Sequence, residues 1–258
     1  MSDYVLDNAR PQAATRMGLL ERLFDGYALP ILAQAVRPGA RCWEVGAGGG
    51  SIAHLMHELG AAEVWATDVD TRYVRAPQPV HVLTHDVVAD PAPAHGLDFV
   101  HMRLVASHLG RKAFVGTVLP KLVDALRPGG ALLVEELDPM GPYAPSLEAS
   151  LAQVSDVNTV GEAFTQVLAS KGGFPWLGRD LRQHFEAAGL EQVAAQGHVR
   201  THRGGEPAAA LMIANIEQVR AELHAKPQHV EATLAALRDP AFTWQMPTFW
   251  QALGVKPS

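Results

Sequence analysis

Apolar residues recur with helical spacing at Met17, Leu20, Leu23 and Phe24, so the chain from Met1 to Gln34 reads as helical. Asp25-Gly26 predicts a break in it, followed by a second short run to Val36. After the turn at Arg37-Pro38-Gly39-Ala40 the period shortens, and Arg41-Cys42-Trp43-Glu44-Val45 reads as a buried strand. A glycine cluster follows, then a helix from about Ser51 to Leu59 and a strand over Glu63 to Thr67 that ends at Asp68. Pro79 to Thr84 alternates as a third strand, Leu97 to Met102 is a fourth, Lys112 to Leu126 a helix and Ala131 to Leu137 a fifth strand. Strand and helix in regular alternation predict an α/β chain with a doubly wound, mostly parallel sheet.

Beyond Asp138 the rhythm changes. Pro139, Gly141, Pro142 and Pro145 mark a loop, and Leu147 to Ser170 reads as a long helix or helix pair ended by Lys171-Gly172-Gly173-Phe174-Pro175. Leu181 to Ala188 is helical and Leu190 to Val199 strand-like. Two more helices are expected over Pro207 to Lys226 and Gln228 to Leu237, and Thr248 to Val255 supplies a last strand. No internal repeat or low-complexity tract is visible. The segments divide as 1–36, 37–138, 139–180 and 181–258.

Composition narrows the function classes. The 258 residues carry a formal net charge of −6, which argues against a nucleic-acid partner. A single cysteine, Cys42, is incompatible with a disulfide framework or a cysteine-rich zinc site. The N-terminus lacks a basic region followed by an apolar run, and no stretch approaches the roughly 18 apolar residues of a membrane span. A cytoplasmic protein without membrane contact is expected, either a monomer or a homodimer.

The strongest local signal is Glu44-Val45-Gly46-Ala47-Gly48-Gly49-Gly50-Ser51 between a strand and a helix. Glycines let the backbone bend sharply and a ligand approach closely, and the helix start offers free N–H groups. Nicotinamide and flavin enzymes use a similar loop, but a dinucleotide fingerprint wants glycine or alanine where this chain has Ser51. Glu44 would moreover repel a pyrophosphate, while it could face a cationic ligand. Asp68, 22 residues after Gly46, can accept both hydroxyls of an adenosine ribose, or it is a solvated turn with Asp70. His85-Asp86-Val87 closes the third strand, where an acidic side chain can meet an adenine amino group; a plain strand-end turn is the alternative.

These residues resemble the class I S-adenosylmethionine-dependent methyltransferases. The likeness lies in Glu44 to Gly50, Ala66-Thr67-Asp68-Val69-Asp70, His85-Asp86-Val87, Asp98 to Leu104 and, above all, Leu126-Arg127-Pro128-Gly129-Gly130-Ala131-Leu132-Leu133-Val134-Glu135. The opening Asp7 to Arg16 is similar to the N-terminal cap of bacterial small-molecule methyltransferases from natural-product pathways. The resemblance implies a Rossmann-like seven-stranded sheet with its last strand antiparallel, a helical N-terminal cap and a helical lid insert. It implies S-adenosyl-L-methionine as cofactor, with S-adenosyl-L-homocysteine as product. By position, Gly46 and Gly48 would line the methionine moiety with Glu44 near it, and Asp68 would hold the ribose with Val69 against the adenine. His85, Asp86 and Val87 would meet the adenine edge, Arg103 and Leu104 would flank the cofactor and face the acceptor, and Gln12 and Arg16 would close from the cap. Little helix fits between Asp70 and Pro79, which leaves one sheet face thin there.

Methyl transfer to O, N or an electron-rich aromatic carbon of a small-molecule acceptor needs alignment, exclusion of water and, for protic acceptors, a base. His108 and Glu136 are the candidate bases, with Arg103 beside them; Glu135 and Asp138 lie at the same strand end. For His108 the alternative is a helix-start histidine bonded to local backbone, and for His101 and Arg103 a packed strand-end pair. No metal is expected. Leu147 to Trp176, with Phe164, Phe174 and Trp176, reads either as a lid over an apolar acceptor or as ordinary core. Two other functions stay open at this point: an NAD(P)-dependent oxidoreductase on a similar fold, and a protein that binds the sulfonium cofactor without transferring methyl.

Overall fold

The computed structural model describes residues 13–139 and 150–258. Helix α1 (Ala13–Ala35) is continuous through Gly26 and Pro30, where the sequence predicts a break at Asp25-Gly26. Phe24, Ala28 and Leu32 lie at four-residue intervals and are all buried. Tertiary burial of that stripe overrides the local propensity of glycine and proline.

The chain then alternates as β1 (Arg41–Val45), α2 (Ser51–Glu58), β2 (Glu63–Asp68), a single 3₁₀ turn over Thr71–Tyr73, β3 (His81–Thr84) and β4 (Leu97–Arg103). After a short α3 (Ala106–Leu109), the expected helix runs without a break from Arg111 to Ala125, as α4 (Arg111–Ala113), a π-helical stretch, Phe114–Val118, and α5 (Leu119–Ala125). Pro120 has no N–H for the carbonyl four residues back, so the ladder shifts register just before it. Strand β5 (Leu126–Asp138) precedes α6 (Leu151–Ser170), which opens on a capping box between Ser150 and Gln153. Then come α7 (Leu177–Ala187), β6 (Glu191–His198), β7 (Thr201–Arg203), α8 (Pro207–Val219), α9 (Pro227–Arg238), β8 (Thr243–Gln245) and β9 (Thr248–Val255). Helix α8 stops at Val219, well short of Lys226; a 3₁₀ turn over Arg220–Glu222 follows and Leu223 is extended.

Seven strands form one sheet in the order β3-β2-β1-β4-β5-β9-β6, with β9 antiparallel to both its neighbours and the remaining pairs parallel. This is the expected Rossmann-like architecture. The second half of α1 and α2 cover one face, through Ala28, Leu32, Ile52 and Met56 over Cys42, Ala66, Phe99 and Leu133. The π-helical stretch, α5 and α7 cover the other, over Trp43, Val100, Leu132 and Val134. A third cluster joins α6, α8 and α9 to Phe24 and Phe249, and the small β7-β8 ribbon closes it. All four β3 side chains are exposed, in keeping with the thin face expected between Asp70 and Pro79.

Candidate active site

Strand β1 is buried from Cys42 to Val45 and delivers the chain to the carboxyl edge of the sheet, where the glycine loop begins. The N–H groups of Gly46 and Ala47 both donate to the Thr67 carbonyl, at 2.7 and 2.9 Å, which stitches the loop to β2. Gly46 has φ +69°, and a Cβ on it would stand 2.2 Å from Val105 Cγ2. Only glycine satisfies both conditions. At the rim, Asp68 Oδ2 accepts from the Gly48 N–H and Oδ1 from the Asp70 N–H, both at 2.9 Å. Burial pushes the Asp68 carboxyl up, and those two donors work against the rise. Val69 beside it is 63% exposed, an apolar surface left open at the end of β2.

The first half of α1 runs past this loop. A Cβ on Gly48 would lie 3.2 Å from Met17 Sδ, and one on Gly49 would collide with Glu21. Asp25 Oδ1 accepts from Arg103 at 2.7 Å and from the Ser51 hydroxyl at 3.1 Å, tying α1 to β4 and to the start of α2. Burial and the neighbouring Asp25 raise the Glu21 carboxyl. Between α1, the start of α2 and the loop after β2 opens a cleft of about 470 Å³, walled by Met17, Glu21, Asp25, Gly49, Tyr73 and Arg75.

Beneath the loop lies a buried polar row. His101 on β4 places Nδ1 2.6 Å from Glu44 Oε2 and Nε2 3.0 Å from Glu135 Oε2. Gln251 Nε2 on β9 donates to the other Glu135 oxygen at 2.5 Å, and Arg103 stands 3.9 Å from Glu135. Burial alone would depress the imidazole, but the carboxylates of Glu44 and Glu135 outweigh it and hold His101 up at about 9. Glu135 is correspondingly held down: burial opposes this, while His101 and Arg103 and the Gln251 amide favour its anion.

The sequence-expected site residues therefore divide. Gly46, Gly48, Asp68 and Val69 share the loop and its rim, and Glu44 and Arg103 lie beneath it in contact with the row. Leu104 turns out of β4 at φ +54°, its N–H donating to the Glu135 carbonyl at 2.9 Å. Arg16 is buried, with His108 on α3 close enough to feel its charge; burial first, and Arg16 second, push that imidazole down to about 4. His85 Nε2 lies 2.8 Å from the Pro91 carbonyl and its ring meets Trp43 edge-on. Asp86 caps its own turn through the Val88 N–H at 2.8 Å, and Val87 is in the core. Gln12 lies outside the described residues. Glu135 and Glu136, consecutive on β5, point to opposite faces, and both are buried. Glu136 Oε1 accepts from the Ser107 N–H at 3.1 Å, and Oε2 has no hydrogen-bond partner among the described residues. Burial pushes this carboxyl up to about 7 against the pull of those backbone donors. Asp138 is paired instead with Arg179 of α7. Helix α6 packs on α8 and α9, and Phe164 joins that cluster.

Sequence reasoning missed Glu21, Asp25 and Gln251. Asp25 was legible only as part of a helix break, and nothing in the local pattern links it to Arg103, 78 residues on.

The residues fit an S-adenosyl cofactor. The left-handed loop leaves no room for side chains at Gly46, Asp68 offers two oxygens at its rim, and Val69 provides an open apolar face. Comparison with known proteins agrees. The family model of a methyltransferase domain matches residues 19–195. The chain is 30% identical over 161 residues to methyltransferase str2 of Strobilurus tenacellus, a match covering 61% of this chain and about half of that protein, 54%. Among solved structures it is similar to Haemonchus contortus phosphoethanolamine N-methyltransferase 2 in complex with phosphomonomethylethanolamine and S-adenosylhomocysteine. That likeness has a TM-score of 0.60 at 14% identity and covers all of this chain and 60% of that one. It is also similar to an S-adenosylmethionine-dependent methyltransferase from Mesorhizobium loti, with a TM-score of 0.51 at 18% identity, covering 89% of this chain and 96% of that one. With the family model spanning more than half of its length, the chain belongs to the methyltransferase-domain family of class I S-adenosylmethionine-dependent methyltransferases.

Proposed function

We propose that the chain methylates a small-molecule acceptor, at O, N or an electron-rich aromatic carbon, within a natural-product pathway in the cytoplasm. The observation that carries this reading is the meeting of three things at one sheet edge: the glycine loop with Asp68, the Asp25–Arg103 link, and the aromatic wall of Phe24, Tyr27 and Phe249 two strands further on. The likeness of the N-terminal cap to natural-product enzymes supports the pathway, and the net charge of −6 disfavours nucleic acid.

The sulfonium cofactor, when bound, supplies an already activated methyl group. The protein's part is alignment, and well-oriented reactants can account for roughly 7–11 kcal/mol of barrier lowering. Gly46 and Gly48 bring the main chain close, Asp68 grips the ribose hydroxyls, and Val69 lies against the adenine. Arg16 and Arg103 line the cap side. For a protic acceptor, His108 takes the proton: burial and the nearby Arg16 keep its ring neutral at pH 7. Glu136 is the second candidate, with its partnerless oxygen.

The test is transfer of labelled methyl from S-adenosylmethionine to a panel of phenols, amines, carboxylic acids and indoles. Label in an organic-extractable product supports the reading; label only in added tRNA or protein overturns it. Unchanged turnover at neutral pH after alanine replacement of both His108 and Glu136 would remove the proton-acceptor role.

A further inference from the structure

The buried polar row does not end at Gln251. Gln251 Oε1 lies 2.7 Å from His198 Nε2, at the carboxyl end of β6. Glu44, His101, Glu135, Gln251 and His198 thus sit on β1, β4, β5, β9 and β6, five successive strands of the sheet, each bonded to the next. The polarity of this chain is set from its centre. Glu135 is an anion and only accepts, so the Gln251 amide must turn its NH₂ toward Glu135 and its carbonyl toward His198. That carbonyl needs a donor, so His198 carries its proton on Nε2. Its Nδ1 is then an acceptor, and it has no partner among the described residues.

The ring borders a small recess lined largely by aromatic and apolar side chains. His198 lines a cavity of about 20 Å³ with Phe24, Tyr27, Arg200, Met246 and Phe249, and the Tyr27 and His198 ring centroids are 4.5 Å apart. This volume admits one water-sized group. Three strand spacings separate β6 from β4, on the order of 14 Å. His198 is therefore too far from Arg103 to act at the transferred methyl.

Building on the small-molecule reading above, we propose that His198 is a specificity-determining residue that accepts a hydrogen bond from a hydroxyl or N–H group of the acceptor remote from the methylated atom. The substrate class is an elongated molecule with a protic group at its far end. The row across the sheet is the positioning element, since it fixes which imidazole nitrogen faces the acceptor, much as a third group orients the base in a hydrolytic triad.

The test uses the full chain loaded with S-adenosylhomocysteine and ¹⁵N-labelled on histidine, at about pH 8, above the ordinary histidine range. The expected His198 signature is a protonated Nε2 and an unprotonated Nδ1. Phenol and anisole are the probes, the same ring with and without a donor. Phenol shifts the His198 Nδ1 resonance to saturation and anisole does not. Equal shifts with both, no shift with either, or a proton on Nδ1 would overturn the proposal. Gln251→Met is expected to let the proton distribute over both nitrogens and to abolish the phenol shift; a His198 unchanged in that variant overturns the positioning role. The wild-type comparison decides the assignment even if this variant fails to fold. Absence of S-adenosylhomocysteine binding would instead strike the parent reading.

Discussion

His101 Nδ1 lies 2.6 Å from Glu44 Oε2 where no solvent reaches the ring. The opposite nitrogen faces Glu135, whose carboxyl is held down. Burial pushes the Glu44 carboxyl up in spite of His101, so Glu135 is the main counter-charge of the imidazolium. Removing one partner of such an arrangement leaves uncompensated buried charge and costs about 3–5 kcal/mol. His101→Leu is expected to lower the unfolding free energy, read from urea titration at pH 6, by that amount. The folded-state value of about 9 lies above the ordinary 6.5, so the stability it contributes is complete below 6.5 and is lost as pH rises through 9. Wild-type protein should therefore lose stability between pH 7 and pH 9.5, and His101→Leu should lack the part of that loss that belongs to the imidazolium. Parallel pH profiles for the two proteins would contradict the imidazolium.

Glu136 gives the same sign on an acid. Burial holds its carboxyl up at about 7 in the fold, against 4.5 when exposed. The fold prefers the protonated form, so stability is complete below 4.5 and declines as pH rises through 7. Glu136→Gln keeps an oxygen for the Ser107 N–H and removes the charge. It should match the wild type near pH 4.5 and exceed it at pH 8 by on the order of 2–3 kcal/mol. Chemical denaturation at the two pH values checks this. A variant less stable than the wild type at pH 8 would mean that Oε2 has a partner worth more than the burial cost.

Asp68 is expected to act through binding rather than stability. Its carboxylate is half-buried at the loop rim and already tied to the Gly48 and Asp70 N–H groups. Hydrogen bonds to a charged group contribute about 1.5–3 kcal/mol, so Asp68→Ala should weaken S-adenosylhomocysteine binding roughly tenfold to a hundredfold by calorimetry. Unchanged affinity would take the ribose role away from this residue.

How much of this was legible follows from the range of the interactions. The strand-loop-helix from Arg41 to Glu58 is a local pattern and appears where periodicity and turn chemistry put it, whereas β5 begins at Leu126, ahead of the expected Ala131, with a register shift against β4 at its start. The antiparallel β9 matches its predicted bounds, Thr248–Val255, because alternation and the neighbouring prolines delimit it. The β7-β8 ribbon was invisible: each strand has three residues, and they pair across about forty intervening ones. The site splits the same way. The loop and Asp68 are written in short motifs, whereas the Glu44–His101 contact spans 57 residues and the Glu135–Gln251 contact 116, distances over which a single sequence has no pattern to show.

Asp25 and Arg103 provide the sharpest separation of cap from core. The Arg103 side chain is 10% exposed and its 2.7 Å bond to Asp25 joins α1 to β4 just beyond the buried row. Arg103 has a second carboxylate, Glu135, only at 3.9 Å, so loss of Asp25 leaves its charge poorly compensated. Asp25→Asn should weaken S-adenosylhomocysteine binding by about 1–3 kcal/mol and speed hydrogen exchange over residues 13–25. Arg103→Met should do the same to exchange, because either change cuts the same tie. If the residues act as a pair, the double variant is no worse than the poorer single one, and the cycle gives a coupling energy of about 1–2 kcal/mol. If Arg103 instead touches the cofactor on its own account, the two binding losses add while exchange in α1 does not worsen. Additive losses in both measurements would mean that Asp25 and Arg103 serve unrelated ends.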